Sequence, residues 1–465
     1  MAIGIEVPFA GHRRAHTVYA SDTKGGSSVV MRVLVTGASG FIGAHIVGAL
    51  LGAGHAVTGC ARDIDFARRR CPQAQWIPCD FNRDLTSEVW LPRLEGIDAV
   101  VNCAGVLQGS ARQSIDRVHR RAPIALFDAC REAGIKRVVQ ISALGIEEAA
   151  GTEYAATKRA GDDYLMNTKL DWVVVRPSLV YAGGSHGGTS LMRGLAGLPY
   201  LISLPGGGRE QRFQPIHVSD LAAGIARLVE PTAPKRKLLE ATGPQTLRLR
   251  EVVLAFRNWL GFRPAPVLPV PMALIRLAGV LGDVLYWVTG KGSLNSTSIR
   301  QMSHGSVGDG SGFEKATGVA PRSMAAGLSQ TPSHVQDRWH ARLYFARPLL
   351  RITLALFWIA SGLIVANATS RNQAEGILLA AGFEREHLLF LIWAGAVADT
   401  VLGVLLLVRW RVRLVGMLML AVTLGYVLVL SYGVPEIWFD PLGALLKIAP
   451  LVAATLVMMA IEDDR

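Results

Sequence analysis

The sequence predicts an α/β domain, a doubly wound parallel sheet with a small lobe above it, followed by an all-α four-helix transmembrane bundle. Three observations carry this reading. Short apolar, β-branched runs alternate with helical patterns from residue 32 onward. Past residue 340 the composition changes to four successive apolar runs of about 20 residues each, the length that crosses a bilayer core. The whole chain of 465 residues is 50% hydrophobic and only 18% charged, too apolar for an ordinary soluble domain.

Taken in order, residues 1–30 hold Arg13 and Arg14 with no apolar run behind them, so no secretory signal is expected, only a disordered extension. "MRVLVTG" at Met31 reads as a natural start. "RVLVTGA" (32–38) is a buried strand, "FIGAHIVGALLGAG" (41–54) a helix, and "AVTGCAR" (56–62) a second strand. "WIPCD" (76–80), "AVVNCAG" (99–105), "RVVQISA" (137–143) and "WVVVRPS" (172–178) continue the series. Near-continuous apolar strands separated by helices mean βαβ units and a sheet covered on both faces. Residues 180–330 carry more Gly and Pro and are assigned to the small lobe, completing a domain of 31–335. Within it, "VPMALIRLAGVLGDVLYWVTG" (270–290) reads as a surface or pocket-lining helix.

The membrane domain spans 345–465, with runs at 348–367, 388–408, 412–432 and 442–461. Arg338, Arg342 and Arg347 precede the first run, and Arg409, Arg411 and Arg413 lie between the second and third. By the positive-inside rule, the N-terminal domain and the C-terminus both face the cytoplasm of a bacterial-type inner membrane. The net charge of +12 is thereby explained without nucleic acid, for which no basic helix with interleaved aromatics is present. Asp399 stands mid-run and is either a functional group or a structural partner inside the bundle. The five cysteines (Cys60, Cys71, Cys79, Cys103 and Cys130) form no CxxC and read as reduced thiols, with no metal site.

"VTGASGFIGAHIV" places Gly37, Gly40 and Gly43 between the first strand and the first helix. Glycines at that spacing let the backbone turn tightly and approach a pyrophosphate, which the helix N-terminus then binds through its free N–H groups. The fold is therefore Rossmann-like. The second strand ends on Ala61 and Arg62, with no carboxylate to bond ribose hydroxyls. A guanidinium there grips a 2′-phosphate, so NADP is the expected cofactor, with NAD left open. Tyr154 and Lys158 lie four apart in "EYAATKRAGDDYL" and share a helix face.

"TGASGFIG", the Asp80 after the third strand, "VNCAG", Tyr154-x-x-x-Lys158, "RPSLVYAGG" and "QPIHVSDLA" together resemble the short-chain dehydrogenase/reductase superfamily over residues 31–330. Its extended and atypical members are the most similar, including the branch of the nucleotide-binding accessory subunit of respiratory complex I. The last four runs resemble a DoxX-like membrane domain. The resemblance implies that Gly37, Gly40 and Gly43, with Ser39, Phe41 and Ile42, hold the pyrophosphate, and that Asp80 meets the adenine. Asn102, Ala104 and Gly105 would line the ribose path, and Pro177 and Val180 would border the nicotinamide. Lys158 would bond the ribose and lower the pKa of Tyr154, the general acid. Ser142 stands either as the catalytic serine or as a strand-end residue. His217 reads as a hydrogen-bonded loop histidine.

The functional expectation is a membrane-anchored NAD(P)-dependent oxidoreductase acting on a small, lipid-like carbonyl or alcohol at the bilayer. The alternative is a non-catalytic NADP(H)-binding accessory, sensor or assembly module with a membrane-complex partner or a second copy of itself. Electron transfer to quinone ranks last, because the spans hold no flavin, haem or cluster ligands.

Overall fold

The computed structural model describes residues 30–462, apart from 108, 110–112, 148–150, 185, 290–295, 297–298, 301–302, 304, 442 and 444. The expected disordered extension lies outside the described residues except for Val30.

Every strand expected from the apolar runs forms: β1 (Arg32–Thr36), β2 (Ala56–Ala61), β3 (Gln75–Pro78), β4 (Ala99–Asn102), β5 (Arg137–Ile141) and β6 (Asp171–Pro177). A seventh, β7 (Lys237–Ala241), joins them in the parallel order β7-β6-β5-β4-β1-β2-β3. Order reverses between β1 and β4, which opens a crevice at their C-terminal ends, where doubly wound sheets bind ligands. The strands are covered on both faces. On one side α1 (Phe41–Gly52) contributes Ile46, Val47 and Leu50 to a core shared with Leu221 and Ile225. On the other, α2 (Ala122–Glu132) and α3 (Glu153–Met166) pack Leu126, Phe127 and Leu165 against Val100, Val138 and Val174.

The lobe is built from α4 (Gly187–Ala196) and α6 (Leu249–Trp259), with a parallel strand pair, Ile202–Pro205 and Val267–Val270. Between them in sequence, α5 (Val218–Leu228) and β7 return to the main sheet layer, so the segment 180–330 is shared between lobe and sheet. α7 (Met272–Thr289) exposes Leu274, Leu277 and Val280 along one face.

The lobe continues into the membrane domain through one helix. α8 (Val335–Ile364) is 30 residues long, and its first turns lie against α4, Ala341 beside Gly197 and Tyr344 beside Gly194. Arg193 locks this junction. It is fully buried, donates at 2.7 Å to the carbonyls of Ala182 and Gly183, and reaches Asp337 at 3.5 Å.

Among the described residues, three helices are long and apolar enough to cross a membrane: α8, then α10 (Arg385–Leu407) and α11 (Val412–Gly433). α9 (Ala368–Ala380) occupies what reads in sequence as a connection. The fourth expected span is shorter than its apolar run. Gly443 takes a left-handed φ of +62° and a turn follows, so α12 begins only at Ile448 and ends at Ile461. Fourteen residues reach about 21 Å, short of a ~30 Å core. Beyond it, Glu462 meets Arg351 at 2.8 Å and Arg409 at 2.5 Å, which brings the end of α12 beside the α10–α11 connection.

α8 and α10 cross closely. A Cβ on Gly362 would lie 2.4 Å from the Ala396 carbonyl, and one on Gly403 2.7 Å from that of Ala355. At this crossing Asp399, 4% exposed, accepts from Ser361 Oγ at 3.0 Å and from Tyr426 OH at 3.1 Å. The arrangement ties three helices together. Asp399→Ala is expected to destabilise the detergent-extracted protein by about 1–3 kcal/mol, because two donors lose their acceptor. Asp399→Asn, which keeps a carbonyl oxygen, should cost less. Apparent melting temperatures of the two variants check the ordering.

Candidate functional site

The glycine turn closes onto the crevice. Gly37 has φ +62°, and a Cβ there would sit 2.9 Å from the backbone of Cys103 and Ala104. A Cβ on Gly43 would lie 2.2 Å from the Gly37 carbonyl oxygen. Gly40 is the N-cap of α1 and brings no side chain to cap it, so the first-turn N–H groups remain for a ligand. Ser39 is exposed, Phe41 is half-buried and stacks on His186 at 4.3 Å, and Ile42 packs into the core. This cradle, which side chains would fill, fits a pyrophosphate.

At the adenosine end, Arg62 is exposed directly after β2. Asp80 accepts from Asn82 N at 3.0 Å and Asn82 Nδ2 at 3.2 Å, with Arg83 at 3.7 Å, so part of its capacity shapes its own turn. Asn102 is fully buried. Its Oδ1 accepts from Thr36 Oγ1 at 2.5 Å, and its Nδ2 donates to Gln140 at 2.7 Å. Its side chain therefore shapes the β4 end from within, its Oδ1 also accepting from Ala104 N at 3.3 Å, while Cys103 N donates to the Thr36 carbonyl at 3.2 Å. Ala104 is buried and Gly105 exposed. Pro177 ends β6 and Val180 follows half-buried at the same edge of the sheet.

Thr152 caps α3 by accepting from Ala155 N at 3.2 Å, which fixes the start of the helix that carries Tyr154 and Lys158. Lys158 is 5% exposed. A Cβ on Gly105 would be 3.6 Å from Lys158 Nζ, so the ammonium sits at the β4 end of the crevice. Burial lowers the Lys158 pKa, opposed by the charge of Asp162 and then Cys103. Burial, reinforced by the Asp162 charge, pushes the Tyr154 phenol up to about 12.

Two side chains join this pair that the sequence did not point to. His119 is 1% exposed and meets the Tyr154 ring edge-on, centroids 5.3 Å apart. Its Nε2 accepts from Val106 N at 3.0 Å and its Nδ1 lies 3.1 Å from Thr157 Oγ1. The Thr157 hydroxyl already donates to the Glu153 carbonyl, so His119 Nδ1–H is the donor between them. Burial and Lys158 hold the imidazole pKa well below its ordinary value, leaving it neutral. It lies in a π-turn, Arg117–Arg121, which "RVHRR" does not announce. The one sequence hint is Gly161 inside α3, where a Cβ would come 2.4 Å from the His119 carbonyl oxygen.

The second is Asp162, fully buried, whose Oδ2 accepts from the Ser142 hydroxyl. Arg176 Nε stands 3.6 Å from the same carboxylate. Ser142 is thus placed at the end of β5 with its hydroxyl turned to a buried carboxyl group. His217 lies elsewhere: its Nδ1 accepts from Ser219 N at 3.3 Å, capping α5, and its ring meets Tyr181 at 5.2 Å. Among the described residues no group of acidic, His or Cys side chains could hold a metal.

Residues 37–198 match a family described as NAD(P)H-binding, and residues 355–456 match the DoxX-like family. The chain is 31% identical over 197 residues to a ceramide reductase of Caulobacter vibrioides, covering 42% of this chain and 59% of that protein. It therefore spans less than two thirds of that relative. It is 27% identical over 263 residues to the photosystem II assembly factor Ycf39 of Synechocystis, covering 55% and 76%. It is 21% identical over 323 residues to the mitochondrial 40 kDa subunit of NADH-ubiquinone oxidoreductase of Neurospora crassa, covering 68% and 81%. The chain is an NAD(P)-binding Rossmann domain, with relatives among complex I subunits and Ycf39-like proteins, joined to a C-terminal DoxX-like domain.

Proposed function

We propose that this protein is a membrane-anchored, NADP(H)-dependent oxidoreductase acting on a carbonyl or alcohol carried by a lipid-like molecule. The observation that carries the proposal is that the Lys158 ammonium reaches Gly105, at the strand end against which the Gly37 turn also packs, with Tyr154 one helical turn before it and edge-on to His119. When bound, the nicotinamide supplies or accepts the hydride. Lys158 holds the ribose hydroxyls. Tyr154 keeps its proton through the neutral range and donates it to the substrate oxygen. His119, neutral and wedged between α3 and the β4 loop, fixes the ring of Tyr154 in place. The lipid-like substrate is suggested by the continuous helix from lobe to membrane and by the relative named a ceramide reductase. The Arg residues at 338, 342, 347, 409, 411 and 413 favour a cytoplasmic site for the nucleotide domain.

A second reading, an accessory or assembly module that holds nucleotide without turnover, draws on one feature. The Ser142 hydroxyl, which would polarise a substrate oxygen, is committed to Asp162. Purifying the full chain in detergent and identifying its nucleotide, then adding long-chain ketones in mixed micelles, separates the two. Oxidation of NADPH supports the enzyme, and tightly held NADPH that no carbonyl oxidises supports the accessory module. In the same assay Arg62→Ala is expected to weaken NADPH binding about tenfold and leave NADH unchanged. Equal losses for both nucleotides would remove the 2′-phosphate assignment.

A further inference from the structure

A one-directional chain of hydrogen bonds runs through the sheet beneath the site. Thr36 Oγ1 donates to Asn102, Asn102 Nδ2 donates to Gln140 Oε1 at 2.7 Å, and Gln140 Nε2 donates to Asp162 Oδ1 at 3.5 Å. It begins on the residue before Gly37, crosses β1, β4 and β5, and ends on α3 one turn beyond Lys158. Asp162 also receives the Ser142 hydroxyl and faces Arg176. A carboxylate this deep needs cations near it. Arg176 divides itself, with Nη1 2.9 Å from Glu147. Lys158 shares the helix face with Asp162 at a spacing of four residues and is itself buried.

We propose that Asp162 is a positioning residue: the internal counter-ion that holds the Lys158 ammonium at the cofactor ribose, with Ser142 serving Asp162 and not the substrate. This rests on the reading that Lys158 faces the cofactor.

The other groups around Lys158 supply no negative charge at neutral pH. Tyr154 on the same helix and Cys103 behind β4 are both pushed up to about 12, chiefly by burial, and His119 is held neutral. Glu147 is paired with Arg176, whose Nη1 stands 2.9 Å from it. Burial raises the Asp162 carboxyl, and the Ser142 hydrogen bond, Lys158 and Arg176 pull it back. Burial already lowers the Lys158 pKa and Asp162 opposes that lowering, so removing Asp162's charge makes the ammonium lose its proton at lower pH.

The test is NADPH binding by the full-length protein in detergent, followed from neutral to alkaline pH through nucleotide fluorescence, with melting temperatures taken without nucleotide. Asp162→Asn should move the alkaline limb of binding down by about 1–3 pH units. Asp163→Asn, the same charge change at a neighbour paired outward with Arg159 at 3.5 Å, should leave it in place. A folded Asp162→Asn protein whose limb coincides with wild type overturns the assignment. If Asp162→Asn does not fold, Arg176→Gln decides: freeing Asp162 for Lys158 should hold the limb or raise it, and a limb that falls overturns the proposal. Lys158→Met separates the levels. If it weakens binding while Asp162→Asn does not shift the limb, only Asp162's role fails. If it binds as wild type at every pH, the cofactor reading of Lys158 fails as well.

Discussion

Tyr154→Phe is expected to lower carbonyl-dependent NADPH oxidation by about 10²–10⁴-fold while leaving NADPH affinity unchanged. The substitution removes one oxygen and keeps the ring. That ring packs beside Ala143, Ile146 and Ala155 and stands edge-on to His119, so its apolar contacts survive and the helix cap at Thr152 is untouched. What disappears is the proton donor. Because burial and Asp162 push the phenol up to about 12, the wild-type donor stays protonated across any ordinary assay pH. Tyr154 therefore contributes no alkaline limb well below that value, and a limb found there belongs to Lys158, whose pKa burial lowers. Steady-state turnover and equilibrium nucleotide binding, measured side by side, check this. Undiminished turnover with every active carbonyl would remove Tyr154 as the acid.

The sequence made the central sheet readable for a physical reason. Strands covered on both faces have no polar side, so β1, β4, β5 and β6 appear as unbroken apolar runs. β7, "KLLEA", escapes because it is the edge strand, with Lys237 and Leu238 exposed and Glu240 half-buried. The fourth membrane run was legible in composition but not in length, since the Gly443 turn breaks it without a change in hydropathy. Tyr154, Lys158 and the glycines were legible because local spacing carries them. The surroundings that tune them were not. His119 reaches Tyr154 through a π-turn that no side-chain period encodes, and Asp162 sits in "AGDDYL", where two adjacent acids look like a solvated face. One of those acids is indeed outward and the other fully buried, a difference set by which side of α3 meets Ser142 and Arg176.

Gly43→Ala should abolish practical NADPH binding, with affinity falling at least about a hundredfold, about 2.7 kcal/mol. The new Cβ would stand 2.2 Å from the Gly37 carbonyl oxygen, 2.8 Å from its carbon and 3.0 Å from Ala38 Cα. All three are backbone atoms, so no side chain can swing aside. Either α1 retreats from β1 or the Gly37 turn opens. Gly37 is itself pinned at φ +62° against Cys103 and Ala104, so both routes widen the cradle that first-turn N–H groups form around a pyrophosphate. Gly48, one and a half turns along the same helix, is the control, because a Cβ there meets nothing within 4 Å. Gly48→Ala should keep NADPH affinity and stabilise the protein by about 0.5–1 kcal/mol through helix propensity alone. Nucleotide titration and apparent melting temperature of the pair separate a general effect on α1 from a specific one at its N-terminus. If Gly43→Ala binds NADPH as wild type does, the pyrophosphate is not held at this turn, and the placement of the whole cofactor along the β1–β4 crevice falls with it.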